Sequence, residues 1–118
     1  MNGRKRTIIE VNGDPFELIL TIRAIKEISL HFGSLENLVE KANKENFELS
    51  IDDIVWLITL LSNQSVSIYN LNHIETPKAL LSEEIVELIA SPTELKNYID
   101  AISEVMKNAQ GINIKNNN

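Results

Sequence analysis

Residues 11–38 read VNGDPFELILTIRAIKEISLHFGSLENL and predict three elements in succession. Asn12 and Gly13 tolerate a positive φ, and apolar residues alternate on either side of them, which predicts a β-hairpin. Thr21 is the expected N-cap of a helix that Gly33 ends, and a second capped helix follows. This order of hairpin, helix and helix is the most informative feature of the chain.

The alternation of apolar residues gives the hairpin two faces. One face is predicted to lie on the core, and it carries Thr7, Ile9, Val11, Phe16, Leu18 and Leu20. The other face carries Ile8 and Ile19 beside Glu10 and Glu17. Loops of two and of four residues place the same side chains on the same face of the hairpin, so the sequence leaves the strand register open.

Helical periodicity continues through most of the remaining chain. In the first helix, one apolar face is formed by Ile22, Ile25, Ser29 and Phe32, with Ile28 flanking it. A helix starting at Ser50 is apolar on nearly all sides over residues 51–61, which is typical of a helix at the centre of a fold. We expect this helix to continue into the polar stretch 63–76 before a loop begins.

Two further helices are predicted after that loop. The fourth starts at Pro77 or Ser82, and its predicted buried side is Leu81, Ile85, Leu88 and Ile89. The fifth starts at Ser91-Pro92-Thr93-Glu94, which combines a cap, a proline at the first helical position and a capping box. Its predicted buried stripe is Leu95, Ile99, Ile102, Met106 and Ala109, and its predicted wet side is Lys96, Asp100, Ser103 and Lys107. Gly111 is expected to end it.

These patterns together predict an α+β fold that is mostly α. A β-hairpin at 6–20 is followed by about five helices within 21–110, packed in a single domain that spans 1–118. Residues 1–5 and 112–118 are expected to be flexible tails.

Composition narrows the classes of function. The chain has 118 residues, a net charge of −6 and no cysteine, which excludes a disulfide framework and a thiolate nucleophile and fits an intracellular protein. Basic residues cluster only at Arg4, Lys5 and Arg6, so the charge balance argues against nucleic-acid binding. The longest near-apolar run, 54–61, is far shorter than the ~20 residues that span a bilayer, and no signal peptide is recognisable.

No motif for catalysis, cofactor binding or metal binding is found. The histidines, His31 and His73, lack the spacing of a metal site. Adjacent Asp52 and Asp53 diverge by ~100° on a helix, so they do not converge on one reacting atom. Their positions at the start of a helix explain these two acids, and the same explanation holds for Glu83, Glu84 and Glu87. We therefore expect a protein that is not an enzyme and that has no cofactor.

Residues 11–38 resemble the opening of the tail assembly chaperones of long-tailed bacteriophages and related gene-transfer particles. The likeness rests on a short hairpin, VNGDPFELIL, a glycine-closed helix, TIRAIKEISLHFG, and the start of the next helix, SLENLVEK. The later SIDDIVWLITLL is similar to their following helix. LLSEEIVELIASPTELKNYIDAISEVM is similar in helix order. The resemblance covers 11–62 and, more loosely, 80–110.

The resemblance implies a non-catalytic phage or prophage protein of the host bacterial cytoplasm. Such a protein binds the helical tape-measure protein and keeps it soluble until the tail tube forms around it. The tail tube protein is a further partner to consider, and so is a homo-oligomer. Binding an amphipathic helix needs an apolar groove. We expect that groove between the hairpin and the helices at 22–32 and 51–61, with contacts from Ile8, Ile19, Ile22 and Trp56.

Two alternatives stay open at this point. One is a small helical DNA-associated regulator of a mobile element, for which the Arg4–Arg6 arm is the best feature, although no helix offers a basic face. The other is a structural tail or connector protein that stays in the particle and polymerises.

Overall fold

The computed structural model of the protein describes residues 6–110, and over this range it confirms the predicted fold class. An antiparallel hairpin comes first and five α-helices follow. Their bounds are β1 (Ile8–Val11), β2 (Asp14–Glu17), α1 (Ile22–Phe32), α2 (Leu35–Lys41), α3 (Ile51–Leu71), α4 (Glu83–Ile89) and α5 (Pro92–Ala109), with a 3₁₀ turn at Lys44–Asn46. The predicted tails and the predicted helix end at Gly111 lie outside the described residues.

The hairpin register, which the sequence left open, is that of a two-residue loop. Val11 pairs with Asp14, so Asn12 and Gly13 form the turn at φ 56° and 83°. Positive φ at both central positions is the type I′ turn, whose twist matches that of the strands. Hydrogen-bonded pairs alternate with non-bonded pairs along the ladder. Pro15 falls at a non-bonded position opposite Glu10, and its missing N–H therefore leaves no bond unmade.

The helices begin and end where the sequence places the caps. Ser50 and Ser91 each form a complete capping box with the acid three residues later. Gly33 closes α1 at φ 92°, and a Cβ there would meet Asn37 Nδ2 at 3.1 Å. That amide donates to Phe32 O at 2.9 Å, so glycine is required both by the backbone angle and by the neighbouring contact.

Helix α3 is the centre of the fold. It contacts β2, α1, α4 and α5, and α5 in turn contacts α2 and β1. One continuous core joins these elements. The predicted core face of the hairpin is confirmed, since Thr7, Ile9, Val11 and Leu18 are buried and Phe16 and Leu20 are half-buried. The predicted continuation of α3 is also confirmed, as the helix runs to Leu71.

The predicted stripe of α5 is confirmed at its centre, and one residue of its predicted wet side is wrong. Ile102 and Met106 are buried. Ser103 was expected in solvent but is 7% exposed. Its hydroxyl donates to Ala42 O at 2.8 Å. This bond satisfies the buried hydroxyl, so the edge of the α5 stripe can pack against the end of α2.

The buried side of α1 is centred beside the apolar face that the sequence indicates. Ala24 and Ile28 are fully buried, whereas Ile22 is 79% exposed. At 100° per residue, Ile22 lies ~160° from Ala24 and ~120° from Ile28 around the helix, so it faces away from the core.

The predicted buried side of α4 is mostly wrong. Leu81 before the helix is buried and so is Val86, but Ile85, Leu88 and Ile89 are 42%, 77% and 38% exposed. The two-turn helix contacts α3, and among its apolar side chains Leu88 is the one that stays mostly in solvent.

The chain reaches α4 through residues 78–81, which we call the strap. Asn70 Nδ2 donates to Lys78 O (3.0 Å) and accepts from Lys78 N at its Oδ1 (2.9 Å). Asn63 makes the same pair of bonds with Leu81, at 2.8 and 2.7 Å. Seven residues of helix span ~10 Å, and three extended residues also span ~10 Å, so the two side chains match the strap in spacing.

Candidate partner-binding surface

Two of the four predicted contact residues lie on the outer side of the hairpin. Ile8 is 56% exposed and pairs with Glu17 across the strands. Ile19 is half-buried, and its N–H donates to Leu61 O at 3.3 Å. Arg6 Nη2 donates to Glu17 Oε1 at 2.9 Å on the same face. This bond and the carboxylate charge raise the pKa of Arg6.

Trp56 lies in a separate aromatic cluster at the end of α1. Its ring stacks on His31 with centroids 4.0 Å apart and contacts Phe32 edge-on at 5.9 Å. His31 Nε2 also lies 3.3 Å from Asp53 Oδ1. The indole is half-buried, so much of its surface is already used to hold α1 against the start of α3.

The structure therefore places Ile22 and Trp56 at opposite ends of α1. Ile22 follows Thr21, whose hydroxyl donates to Gln64 Oε1 in the middle of α3. Trp56 lies eight residues earlier on α3, which is ~12 Å along the helix axis. No described contact joins all four predicted residues in one groove.

Exposed apolar side chains lie on both helices, at the start of α1 and at the end of α3. Val66 is the last buried residue of α3, and beyond it the helix runs past the core. Ile68 lies one turn after Gln64 on the same helix face, and Leu71 lies almost two turns after it. They are 42% and 75% exposed, beside Ile22 at 79%. We call Ile22, Ile68 and Leu71 the α1–α3 patch.

A second exposed apolar surface lies on α4, and the sequence reasoning missed it. We call Ile85, Leu88 and Ile89 the α4 stripe. With Val86 they cover ~160° of the helix at 100° per residue, which is wider than the ~100° that packs against one neighbour. That width was the available signal. It shows that part of the face stays open, but it does not show which part.

The two histidines lie at separate helix ends. His31 is in the last turn of α1, while His73 follows α3 and donates from Nδ1 to Tyr69 O at 2.8 Å. The His73 ring stacks on Tyr69 at 3.7 Å, and Lys78 Nζ lies 4.3 Å from the centroid of the tyrosine ring. Within residues 6–110 no group of three His, Cys, Asp or Glu side chains is placed to hold a metal ion.

A cleft of about 620 Å³ lies between the end of α2 and α5, lined in part by Lys44, Asp100, Ser103 and Lys107. Ser103 contributes a hydroxyl group to this lining, and that hydroxyl already donates to Ala42 O. No histidine lines the cleft.

No helix within residues 6–110 has the length and the apolar composition needed to cross a bilayer. In comparisons with protein-family models, with curated proteins and with solved structures, the chain has no significant match. The two exposed apolar surfaces, the α1–α3 patch and the α4 stripe, are the candidate binding surfaces of the described residues.

Proposed function

We propose that this protein is a phage or prophage tail assembly chaperone that binds the tape-measure protein and keeps it soluble while the tail tube assembles. The order of hairpin, glycine-closed helix and Ser-capped helices supports this reading, because it is the pattern that carries the resemblance. The proposed role is non-catalytic and is set in the host bacterial cytoplasm.

The observation that carries the proposal is the amount of uncovered aliphatic surface. Among residues 6–110, eleven large aliphatic side chains are at least 38% exposed: Ile8, Ile22, Leu30, Ile51, Ile68, Leu71, Ile74, Leu80, Ile85, Leu88 and Ile89. Single exposed aliphatic residues are normal on a protein surface. Here several share a helix face, and grouped exposed apolar residues mark binding surfaces.

A helical client fits these surfaces better than a rigid globular partner. An amphipathic helix buries its apolar face in an apolar groove and is recognised by residues at helical spacing. The α1–α3 patch and the α4 stripe are both built from short helix faces. Small contacts of this kind give moderate affinity, which suits a carrier that has to be displaced when the tail tube forms.

Net charge is consistent with the same role. A chain with a net charge of −6 repels nucleic acid. A basic carrier would instead bind nucleic acid in competition with its client. Arg6, a member of the basic cluster, is bonded to Glu17. We accordingly propose no nucleic-acid partner and no membrane partner. The tail tube protein and further copies of this chain are partners in the same assembly step.

The test is co-expression with the tape-measure protein encoded beside this chain, followed by size-exclusion chromatography with light scattering. We expect the tape-measure protein to become soluble and to co-elute with several copies of this chain. If the client precipitates while this chain elutes as a polymer, a structural tail or connector protein is the better reading.

Matched variants make that experiment specific for the surface. Ile22→Ser with Leu71→Ser removes two exposed side chains of the α1–α3 patch without changing charge. Asn97→Ser with Asn108→Ser changes two exposed neutral residues of α5 and is the control. We expect the first pair to reduce the recovered complex and the second pair to leave it unchanged. Equal recovery for both pairs contradicts a role for the patch.

A further inference from the structure

Residues 78–90, which comprise the strap, α4 and Ala90, are joined to the rest of the protein at few points. Ten of these thirteen residues are exposed, and the two buried ones are Leu81 and Val86. Helix α4 packs on α3. By comparison, α5 buries seven of its 18 residues. We call residues 78–90 the α4 unit.

Two side chains of α3 supply the hydrogen bonds that hold the α4 unit. Asn63 bonds to the backbone of Leu81, and Asn70 bonds to the backbone of Lys78. The other main-chain bonds of the unit are internal, such as the bond that Ala90 N–H donates within α4 at 3.0 Å. Within residues 6–110, no bond between main-chain groups joins the unit to another element. The unit is therefore released when two side chains let go of it.

Both ends of the α4 unit adjoin helix ends that are closed by local contacts. At the end of α3, His73 N–H donates to Asn70 O at 3.3 Å, and the His73 ring stacks on Tyr69. At the start of α5, Ser91 and Glu94 form a complete capping box. Because these contacts lie outside the α4 unit, α3 and α5 keep their ends when the unit moves away.

Detachment of the α4 unit from α3 would also unfold α4 itself. The helix has 7 residues, and isolated helices shorter than ~12–15 residues are marginal in water. Segments with few buried apolar side chains open at a lower free energy than the core does. Such an opening would expose Leu81 and Val86, while core residues on other elements, such as Ile28 and Ile102, would stay packed.

We propose that the α4 unit opens from α3 as one cooperative unit while the hairpin, α1, α2, α3 and α5 stay folded. Opening uncovers the surface beneath Leu81 and Val86, so an equilibrium within the protein sets how much apolar surface it presents. Asn63 is the main restraint, because its bonds to Leu81 are part-buried, whereas the bonds from Asn70 to the strap are exposed. This inference goes beyond the proposed function and does not depend on the identity of the client.

The test is native-state hydrogen exchange of the full chain, followed residue by residue by NMR. The amides of Val86 and Ala90 report on the α4 unit, and the amide of Ile102 reports on the core. We expect the protection factors of Val86 and Ala90 to be similar to each other and at least about tenfold lower than that of Ile102. Low concentrations of urea should raise exchange of the unit less steeply than exchange of Ile102, because opening exposes less surface than global unfolding.

Two substitutions test whether the strap and α4 open together. Asn63→Ala removes both bonds to Leu81 and is expected to lower the protection of Ala90, at the far end of the unit, about tenfold. Val86→Ala removes buried methyl groups from α4 and is expected to lower the protection of the Leu81 amide by a similar factor. Asn97→Ala on α5 and Leu88→Ala on α4 change exposed residues. They are the matched controls, and both should leave these protection factors unchanged.

A third substitution separates local opening from global unfolding. Ile28→Val on α1 changes a fully buried residue that stays packed when the α4 unit opens. It is expected to lower the protection of Ile102 by up to about tenfold, since that amide exchanges through global unfolding. The protection of Val86 and Ala90 should not change. Circular dichroism checks that each variant is folded.

The proposal holds if Asn63→Ala and Val86→Ala each lower protection at the other end of the α4 unit and Ile28→Val leaves the unit unchanged. It is overturned if Asn63→Ala leaves the protection of Ala90 as it is, because the strap and α4 then open separately. It is also overturned if Ile28→Val lowers the protection of Val86 as much as that of Ile102, because α4 then opens only when the whole protein unfolds.

Discussion

Helices α4 and α5 follow one another in the chain, and both begin at a serine cap with an apolar stripe behind it. The α5 stripe is closed, since Ile102 and Met106 are at most 1% exposed, whereas the α4 stripe has Leu88 at 77%. Amphipathicity thus shows that a helix has a face to cover. Length and anchoring decide whether its own chain covers that face.

Anchoring differs sharply between the two helices. Helix α5 has 18 residues, and its side chains bond to two other elements, through Tyr98 to Glu10 O (3.0 Å) and through Ser103 to Ala42 O (2.8 Å). Helix α4 has 7 residues, packs on α3 through Val86 and follows the strap. The closed stripe of α5 and the open stripe of α4 are therefore expected to respond differently to substitution.

The largest expected contrast comes from truncating one residue of each stripe. Ile102→Ala is expected to lower the free energy of unfolding by about 2–5 kcal/mol, because it removes fully buried methyl groups and leaves a cavity. Leu88→Ala is expected to change it by at most about 0.5 kcal/mol. Urea unfolding followed by circular dichroism measures both, and a loss of similar size for Leu88→Ala contradicts an open stripe.

The next contrast concerns the two asparagines that hold the strap. Asn63→Ala is expected to lower the free energy of unfolding by about 1–3 kcal/mol, because part-buried backbone groups of Leu81 lose both partners. Asn70→Ala is expected to have a smaller effect, since its bonds to Lys78 are exposed and water can replace it. The two values come from the same urea titration. Equal losses argue that both ends of the strap are equally shielded from solvent.

A smaller effect is expected at the anchor of α5 to the hairpin. Tyr98→Phe removes the bond to Glu10 O and is expected to lower the free energy of unfolding by about 1 kcal/mol at pH 7. Burial, with Glu94 as a lesser cause, raises the pKa of Tyr98 in the folded state. The ionised form is therefore disfavoured by folding, so this stability is present below the unfolded pKa of about 10 and is lost as pH rises through the folded pKa.

The pH dependence separates this anchor from general alkaline destabilisation. Urea unfolding at pH 7 and above pH 10 should show the advantage of the natural chain over Tyr98→Phe shrinking as pH rises. Tyr69→Phe, at the other tyrosine, is the control. An advantage that stays constant with pH shows that the pKa of Tyr98 is the same in the folded and the unfolded state.

The smallest effect has the opposite sign. Ser62 on α3 is fully buried, and its hydroxyl has no hydrogen-bond partner. An unpaired buried polar group is unfavourable, so Ser62→Ala is expected to raise the free energy of unfolding by up to about 1 kcal/mol. Thermal unfolding measures the shift, with Ser65→Ala, which loses a bond to Ser62 O, as the comparison. A lower melting temperature for Ser62→Ala means that the hydroxyl is satisfied in solution.

Local signals predicted the fold well, because most of its elements are set by residues close in sequence. The Asn12-Gly13 turn, the Ser50 and Ser91 caps and the Gly33 helix end all lie where the sequence placed them. The errors concern which face of a helix is covered. Ser103 was misplaced because a backbone carbonyl distant in sequence decided its packing.

The candidate surface was predicted only in part for the same reason. Ile8 and Ile22 are exposed as a binding residue has to be, whereas Trp56 is already stacked on His31. The α4 stripe carried the same hydrophobic signal as a core helix. Its exposure depends on how short α4 is and on what contacts Val86, and neither can be read from periodicity alone.

The strap has a consequence for how the chain length can vary. Asn63 bonds to the backbone of Leu81, and Asn70 bonds to the backbone of Lys78 at matched spacing. Adding or deleting one residue between 78 and 81 therefore breaks one of these two pairs of hydrogen bonds. The stretch 71–77, which enters from the end of α3, is exposed throughout and is under no such constraint. Related chains should therefore differ in the length of the loop before Lys78 and keep the interval from Lys78 to Leu81 fixed. Helix α4 then stays at the same position along α3 while the loop that leads to it becomes longer or shorter.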